Sequence, residues 1–315
     1  MRCGAVAVGL SLGLASAGTA QVTAPIQDNV VPVAVVQSIS AYERVLAPLV
    51  AERFRPDQRP ESTGSRGPFR FWGTGDARMY EIDRAGFEGS AFDFLFGIDG
   101  YLADDFVVGV IGGAGSTDVD TRFLGLDGNF DNKAFSLGLY TAYDLGSGLV
   151  FDASFIYGRN EYEVQADTVA SDFDGDRATG LFGISGFYRL GSVEVEPRAS
   201  LALSFDSQVR HTERNGVFVE NQRTTVFRGS LGGRIGYPVS LGGVRLRPFA
   251  IAAVDATLDD VGEASLIGDA VAGRVGAGLD LVRGGIRLTL LADAGGLGGT
   301  DVVDYGGSVR LTLEF

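Results

Sequence analysis

The 315-residue sequence has almost none of the residues that build metal and redox sites, since it contains one cysteine, Cys3, and one histidine, His211. A structural zinc site needs several Cys or His ligands, and a disulfide needs two cysteines. Cys3 lies in a segment that we expect to be removed after export, which leaves the mature chain without a thiol. We therefore predict no metal centre, no disulfide and no cofactor.

Positive charge is also scarce, with 26 Lys and Arg against 40 Asp and Glu and a net charge of -14. Binding to a phosphate backbone needs clustered cations, so we exclude a nucleic-acid partner. The 9 prolines follow no Gly-X-Y period, which excludes a collagen helix. A disordered chain is excluded as well, because 21 Phe and 10 Tyr are too many aromatic residues for one.

Beyond residue 20 the sequence has no apolar run of the ~20 residues that a transmembrane helix requires. Residues 1–20 themselves predict a cleaved signal peptide, with Arg2 at the start, small and apolar residues over 5–17 and small residues before Gln21. A lipid anchor would need Cys in place of Gln21. We expect an exported protein that enters a membrane, if at all, as strands.

Residues 21–66 form the predicted helical segment and linker. Apolar residues recur every three or four positions over residues 38–54, which predicts an amphipathic helix. Pro48 should bend this helix or divide it in two. Residues 55–67 are rich in Pro, Ser, Gly and charge, so we predict a linker there.

From about residue 67 to residue 315 the apolar period becomes two, as in the last segment, where Val309, Leu311, Leu313 and Phe315 alternate with polar residues. Such segments run for about 11 to 15 residues, longer than the 5–6 of soluble sandwiches. Strands of at least 9–11 residues are needed to cross a bilayer. The pattern favours a transmembrane barrel over a soluble sheet.

We count twelve such segments, an even number, as bacterial outer-membrane barrels have. They lie at about residues 68–79, 90–102, 106–116, 133–144, 149–163, 177–190, 192–206, 223–237, 244–257, 269–282, 285–295 and 303–315. Every second connection is short, and long polar loops are expected at residues 117–132, 164–176, 207–222 and 258–268. The predicted fold is all-β, a twelve-stranded antiparallel transmembrane β-barrel over residues 67–315, with both termini on the short-turn side.

Three local sequences accompany this organisation: Phe71-Trp72-Gly73 opens the first strand, residues 137–140 read Leu-Gly-Leu-Tyr, and residues 309–315 close the chain on Phe. With the signal peptide and the helix, the chain resembles the autotransporter β-domain of Gram-negative bacteria. The resemblance implies a non-enzymatic outer-membrane barrel whose pore holds the preceding helix. A small porin or channel is the alternative.

The resemblance also implies an exported passenger upstream of the helix. Only about 45 residues separate Gln21 from the barrel, too few for a passenger with a core of its own. The family's Asn-Asn cleavage pair is missing too, because Asn29 is the only Asn of this segment. We therefore expect little or no passenger and no self-cleavage.

The carboxy-terminal alternation resembles the signal that the barrel-assembly machinery recognises, with Val309, Leu311, Leu313 and Phe315 as its side chains. Arg310 stands where that signal usually has Gly, so the match is partial. The partners expected from the resemblance are outer-membrane lipid and lipopolysaccharide, the barrel-assembly machinery and periplasmic chaperones. We expect a monomer.

Charges of both signs alternate with the outward apolar residues, so we predict that they face the lumen, since Arg facing lipid costs ~2–4 kcal/mol at the midplane. These residues are Glu194, Glu196, Arg198, Arg228, Arg234, Arg245, Arg247, Asp255, Arg274, Asp280, Arg287, Asp293 and Arg310. A structural role, in which the two signs pair, is favoured over a solute path. Glycines predicted on the same inner face should leave space in the lumen, namely Gly232, Gly236, Gly276 and Gly278.

An outer-membrane hydrolase is the enzyme hypothesis, and His211 in a predicted outer loop with Thr212 and Glu213 is its only candidate base. No Gly-x-Ser-x-Gly sequence occurs, so we favour a solvated His211. Two groups of acidic residues in the outer loops could gather Ca²⁺, but solvated loops are favoured. The groups are Asp172, Asp174 and Asp176, and Asp118, Asp120, Asp127 and Asp131.

Overall fold

The computed structural model describes residues 24–55, 69–82, 87–123, 126–166, 169–214, 216, 218–259, 270–299 and 302–315. The predicted signal peptide and nearly all of the predicted linker lie outside the described residues. So does most of the predicted outer loop at residues 258–268.

Twelve long strands form the wall of a closed barrel, which confirms the predicted fold and strand number. They are β1 (Phe69–Ile82), β2 (Phe87–Ala103), β3 (Phe106–Phe123), β4 (Leu126–Gly146), β5 (Leu149–Ala166), β6 (Val169–Gly186), β7 (Val193–Gln208), β8 (Gln222–Gly236), β9 (Val244–Asp259), β10 (Ala270–Arg283), β11 (Ile286–Leu297) and β12 (Val302–Glu314). Each strand pairs antiparallel with the next, and β12 pairs with β1. Closure leaves the wall without an unpaired edge.

Four short strands lie at the rims of the barrel. Tyr188–Leu190 pairs with the start of β7, and Val239–Leu241 pairs with the start of β9. His211–Thr212 pairs with Phe218–Val219 in a separate hairpin. These pairings extend the barrel beyond its twelve-stranded wall.

Two of the predicted outer loops are strand hairpins instead. β3 and β4 remain paired as far as Phe123 opposite Leu126, and β5 and β6 as far as Ala166 opposite Val169. The prediction of loops at residues 117–132 and 164–176 was therefore wrong. Inward apolar side chains such as Val119, Phe130 and Val164 are fully buried, so core packing supports strands where the outward acidic residues suggest a loop.

The wall is apolar outside and polar inside. In β1 the large apolar side chains of Phe69 and Phe71 are exposed, while Arg70 and Thr74 are buried. This distribution, with apolar side chains outside and polar ones inside, is the reverse of that in a soluble protein and is typical of transmembrane barrels. Among the described residues, no helix has the length and apolar character needed to span a membrane.

The short-turn rim carries both ends of the barrel chain, as predicted. The backbone N–H of Phe315 donates to the carbonyl of Phe69 at 3.1 Å. One turn of this rim places Gly146, Ser147 and Gly148 at φ of 82°, 54° and 80°. Glycine adopts this left-handed backbone without strain, whereas Ser147 does so at a cost.

One helix, α1 (Ala24–Glu52), precedes the barrel, and it is longer than predicted. It begins well before residue 38 and continues through Pro32 and Pro48, so Pro48 does not divide it. The early part escaped prediction because it shows no polar face: Val31, Ala34 and Val35 are all fully buried. A helix that is buried all round has no amphipathic period.

The inner-face glycines do not open the lumen as predicted. A Cβ atom at Gly278 would clash with the ring of Phe249, and one at Gly276 would lie 2.6 Å from Asp293. Gly236 is covered in the same way by Arg247. Neighbouring side chains therefore fill the space that these glycines provide, and of the four only Gly232 lines a lumen cavity.

Candidate functional site

The helix α1 packs against inward side chains of the wall, and the character of this contact changes along its length. Near its beginning, Val31 and Val35 belong to one apolar cluster with Ile82, Phe87 and Val164, which lie toward the long hairpins. From Glu43 onward ionic contacts are added, while Leu46, Leu49 and Phe54 still belong to the same apolar cluster. The helix is thus packed by apolar side chains along its length and is also held by charges on the turn side.

A chain of buried ion pairs, here called the lumen ring, begins and ends on α1. Arg228 of β8 lies 2.9 Å from Glu43, and Arg44 lies 2.7 Å from Asp76 of β1. The wall between these two strands completes the ring through alternating charges, each in contact with the next. In order from Glu43, its members are Arg228, Asp255, Arg274, then Asp293 and Asp304, which both bridge Arg274 and Arg78, and finally Arg78, Asp76 and Arg44.

A second group of buried charges, here called the turn-side cluster, surrounds the end of α1. Glu52 accepts hydrogen bonds from Arg310 at 3.0 and 3.2 Å, and Arg55 donates to Glu196 at 2.6 Å. The Asp280 carboxylate accepts from both Arg234 and Arg247. The cluster comprises Glu52, Arg55, Glu194, Glu196, Arg234, Arg247, Asp280, Arg287 and Arg310.

Asp99 of β2 links the wall to the last turn of the helix. It accepts hydrogen bonds from Arg70 at 2.6 Å and from the hydroxyl of Tyr140 at 2.7 Å. Tyr140 in turn accepts from the indole N–H of Trp72 at 2.7 Å, and Arg70 also donates to the carbonyl of Leu49 at 2.8 Å. Trp72, the single tryptophan, is fully buried in this network.

These contacts fix where the helix sits more than they add to stability. A buried ion pair recovers little more than the cost of removing its charges from water, but removing one partner costs about 3–5 kcal/mol. Each helix charge therefore has a defined partner on the wall, and a shift of α1 would break these ion pairs. The arrangement can hold α1 in one register against the wall.

The structure brings most of the predicted lumen charges together. Ten of the thirteen are buried, while Glu196 and Arg198 are partly exposed. Arg245 is the exception, since it shares the inward side of β9 with Arg247 but is exposed next to the short turn. Arg245 keeps its inward orientation, but it reaches solvent because it lies at the end of the strand.

Sequence reasoning missed nearly half of the ionic network. The charges of β1 and β2 alternate with outward aromatic residues in the same way as the predicted ones, so the period-two signal was present for Arg70, Asp76, Arg78 and Asp99. The helix charges Glu43, Arg44, Glu52 and Arg55 had no such signal. Their partners lie far away in sequence, and charge on a helix face by itself predicts solvent exposure.

The residues of the predicted assembly signal lie on the outward side of β12. Val309, Leu311 and Phe315 are exposed, with 67% of the Phe315 surface accessible, and Leu313 is partly exposed. Arg310, between them, points inward to Glu52. Recognition of this strand by an assembly machinery stays a prediction.

The acidic residues of the predicted outer loops lie on outward faces of the long hairpins. Asp174 pairs with Arg159 at 2.7 Å and Asp172 with Arg214 at 3.3 Å, and all four side chains are exposed. Among the described residues, no group of three or more His, Cys, Asp or Glu side chains is placed to hold a metal ion. Beyond the apolar band, burial and the neighbouring Asp118 raise the pKa of Asp131 to about 6.

His211 lies in the small hairpin at the outer rim. Its ring stacks on Phe173 at a centroid distance of 4.5 Å, and its Nδ1 lies 3.3 Å from the carbonyl oxygen of Val209. The ring is therefore packed on one side, which corrects the expectation of a solvated side chain. Stacking on an aromatic ring positions the imidazole without providing a nucleophile.

The geometry defines a class of protein: a closed twelve-stranded antiparallel β-barrel with an apolar outer surface, whose buried charges bind a preceding helix. The chain belongs to the autotransporter beta-domain family, whose model matches residues 71–296. The resemblance noted from the sequence is thereby confirmed. Members of this family are outer-membrane barrels, so membership implies that location.

Solved structures give the same fold. The β-domain of the Bordetella autotransporter BrkA has a TM-score of 0.68 at 20% identity, covering 79% of this chain and 100% of that one. The translocator domain of NalP from Neisseria meningitidis has a TM-score of 0.66 at 17% identity, covering 89% of this chain and 98% of that one. The transport unit of AIDA-I from Escherichia coli has a TM-score of 0.58 at 15% identity, covering 85% of this chain and 95% of that one. No curated protein matches the sequence.

Proposed function

We propose that this chain is a non-enzymatic outer-membrane autotransporter-type barrel whose pore is occupied by α1. One observation carries the proposal: Glu43 and Arg44 of the helix complete the lumen ring, so the charges of the wall are fully paired only with the helix inside. A helix that merely passed through an open pore would leave its charges in water. Here the side chains of Glu43 and Arg44 are only 10% and 6% exposed, and each contacts a charged partner on the wall.

The direction of the helix supports a role in bringing the amino-terminal segment to the hairpin side. The hydroxyl of Tyr101, next to a short turn, donates to the carbonyl of Arg53 at the end of α1. Earlier in α1, Arg44 pairs with Asp76, which lies farther from the short-turn rim along β1 than Arg70, the partner of Leu49. With the short turns in the periplasm, the beginning of α1 therefore points toward the cell exterior. Export through a signal peptide at residues 1–20 is part of the proposal.

The absence of catalysis is proposed on the chemistry of the rim. His211, the one histidine, stacks on Phe173 and contacts a backbone carbonyl, and we assign it a structural role. Purified protein should therefore hydrolyse neither lipid nor peptide. An activity that disappears in His211→Ala would overturn this assignment.

The experiment for pore occupancy is planar-bilayer conductance of the full protein and of a variant lacking residues 21–65. We expect steady openings only from the deletion variant, because the helix blocks the lumen. A cavity of about 180 Å³ beside the helix favours the alternative, a small porin. Equal conductance from both proteins would support the porin and overturn the plug.

A further inference from the structure

A cavity of about 180 Å³ lies between the helix and the wall, bordered by the lumen ring and the turn-side cluster. Its middle is apolar, since Val45 and Pro48 of α1 face Ile251, Ala253 and Leu291 of the wall. Pro48, Ile251 and Leu291 are each only partly covered. The helix therefore does not fill this side of the lumen.

One corner of the cavity carries hydrogen-bond donors that no described residue uses. Thr74 of β1 and Arg310 of β12 are directly opposite each other in the sheet, and Arg44 reaches the same corner through Asp76. The Thr74 hydroxyl, Nη1 of Arg44 and Nε of Arg310 are buried without a hydrogen-bond partner. Thr74 is 2% exposed, and the side chains of Arg44 and Arg310 are each 6% exposed.

The remaining nitrogens of the two arginines are engaged, which fixes the direction of the unused ones. Arg44 donates to Asp76 through Nη2 and Nε, and Arg310 donates to Glu52 and to the carbonyl of Val45. Leaving buried donors unpaired is costly, and a charged acceptor pairs with guanidinium N–H groups more strongly than a neutral one. Oxygens of a single anion would satisfy this corner.

The carboxylates that line the cavity are not available to a cation. Glu43 lies 2.9 Å from Arg228, Glu196 lies 2.6 Å from Arg55, and Asp255 contacts two arginines. Every acid of the lining is thus neutralised by a guanidinium, while unused capacity remains only on donors. The cavity selects negative charge.

We propose that this cavity binds a small organic anion, with its carboxylate against Thr74, Arg44 and Arg310 and its apolar body against Ile251 and Leu291. The size suits one aromatic ring, since a cavity of about 150 Å³ holds benzene. The proposal needs the helix in place, because Arg44, Val45 and Pro48 form one side of the site. It does not depend on whether the pore conducts. A pore that conducts and also binds the anion would overturn the plug alone, and a closed pore that binds no anion would overturn the site alone.

Isothermal titration of the full protein in detergent tests the ligand class, with benzoate as the probe and benzyl alcohol as its neutral counterpart. Benzoate should bind at least about tenfold more tightly, because only the anion pairs with the charged donors. Equal binding of the two would overturn the anion corner. No benzoate binding at millimolar concentration would overturn the site.

Two threonines provide a matched pair of variants. Thr74 and Thr312 are both buried with an unpartnered hydroxyl, on neighbouring strands, but only Thr74 lines the cavity. Thr74→Val should weaken benzoate binding by about tenfold, and Thr312→Val should leave it unchanged. An unchanged affinity in Thr74→Val, or an equal loss in both variants, would contradict the proposal.

A third variant tests the apolar part of the site independently of the hydrogen bonds. Ser308 lines the cavity opposite Leu291 in the sheet, and Ser308→Leu places a larger side chain in the space for the ring. Benzoate binding should be lost while heat-modifiable gel mobility still reports a folded barrel. Normal binding by this variant would place the ligand elsewhere.

Discussion

Glu43 and Arg44 are consecutive residues of the helix, yet they hold the two ends of one chain of ion pairs. Glu43 meets Arg228 on β8 at 2.9 Å, and Arg44 meets Asp76 on β1 at 2.7 Å. The wall from β9 to β12 supplies the charges between them. The position of one helical turn is therefore tied to six strands. Because each charge is buried, a displaced helix leaves several groups unpaired at once.

The Glu52–Arg310 pair should hold the end of the helix. Glu52→Ala removes the carboxylate partner of the Arg310 guanidinium and leaves it the backbone carbonyl of Val45, and breaking a buried pair costs about 3–5 kcal/mol. We expect a loss of this size in urea titrations of lipid-refolded protein. Channel openings in planar bilayers should appear as the helix loosens.

Asp174→Asn provides the control for this prediction, because Asp174 pairs with Arg159 at an exposed site. Exposed pairs contribute about 0–1 kcal/mol, so this variant should match the parent in stability and remain closed. The double variant Glu52→Leu with Arg310→Leu should recover much of the lost stability, since an apolar pair replaces a buried ionic one. No difference between Glu52→Ala and Asp174→Asn would refute the docking role.

Trp72 should report the state of the helix by its fluorescence. It is buried and bonded through Tyr140 to Asp99, whose partner Arg70 holds a helix carbonyl. Tyr140→Phe leaves the buried indole N–H unpaired, so we expect a loss of about 1–3 kcal/mol in unfolding free energy. The emission maximum should shift as well. Tyr188→Phe, at an exposed tyrosine, should change neither quantity.

The barrel could be predicted from sequence because its wall repeats one simple constraint. Each strand must present apolar residues outward and polar ones inward, and this alternation is visible in every strand from β1 to β12. The ends of the long hairpins were harder to predict, since their outward faces carry acidic residues such as Asp118 and Asp172, a composition that is typical of loops. Their inward Val119 and Phe173 are what keep them in strand conformation.

The interior could be predicted only in part. Alternation identifies which charges face inward, as at Arg228 and Asp255, but it gives no pairing across strands. Which helix residue meets which wall residue depends on the depth and rotation of α1. The early part of α1 gave no signal either, because its apolar residues, such as Val31 and Val35, are buried without an opposite solvated face that would set an amphipathic period.

Arginine on the lipid face should be costly in proportion to depth. Leu201 is 50% exposed near the middle of β7, so Leu201→Arg should lower unfolding free energy by ~2–4 kcal/mol in lipid-refolded protein. Leu190, exposed on the short-turn rim, serves as the control, since Arg costs about 0–1 kcal/mol near the interface. Equal losses would contradict the bilayer position. Ser200→Arg is no clean comparison, because Ser200 is buried against Glu43.

Asp131 should make stability fall as pH rises through the range from about 4 to 6. Burial and Asp118, its cross-strand neighbour, raise the folded-state pKa from 3.8 to about 6. The folded protein therefore binds a proton that the unfolded chain has already released, so raising the pH penalises the folded state. Asp131→Asn should be more stable at pH 7 and show a flatter profile in urea titrations between pH 4 and 6. An unaltered slope would refute this assignment.

The end of the chain should matter more for assembly than for stability. Strand addition by another protein supplies backbone hydrogen bonds, while alternate side chains give specificity. Val309, Leu311, Leu313 and Phe315 are the alternate outward side chains of β12, and Phe315 is 67% exposed. An exposed terminal ring contributes little to the fold, so deleting Phe315 should cost only about 1–2 kcal/mol.

Phe69 separates the two effects, because it lies on the same rim, is 55% exposed and accepts the backbone hydrogen bond of Phe315. Phe69→Ala should reduce stability by a similar amount, since it also removes one exposed aromatic ring. Only the Phe315 deletion should lower the amount of folded barrel in the outer membrane, measured by heat-modifiable gel mobility of isolated membranes. Both changes remove one exposed aromatic ring at the same rim, and Phe315→Ala, which keeps the backbone hydrogen bond to Phe69, should lower membrane levels as the deletion does, so a selective loss isolates recognition from folding. Equal membrane levels for the two variants would mean that the terminal phenylalanine is not part of an assembly signal.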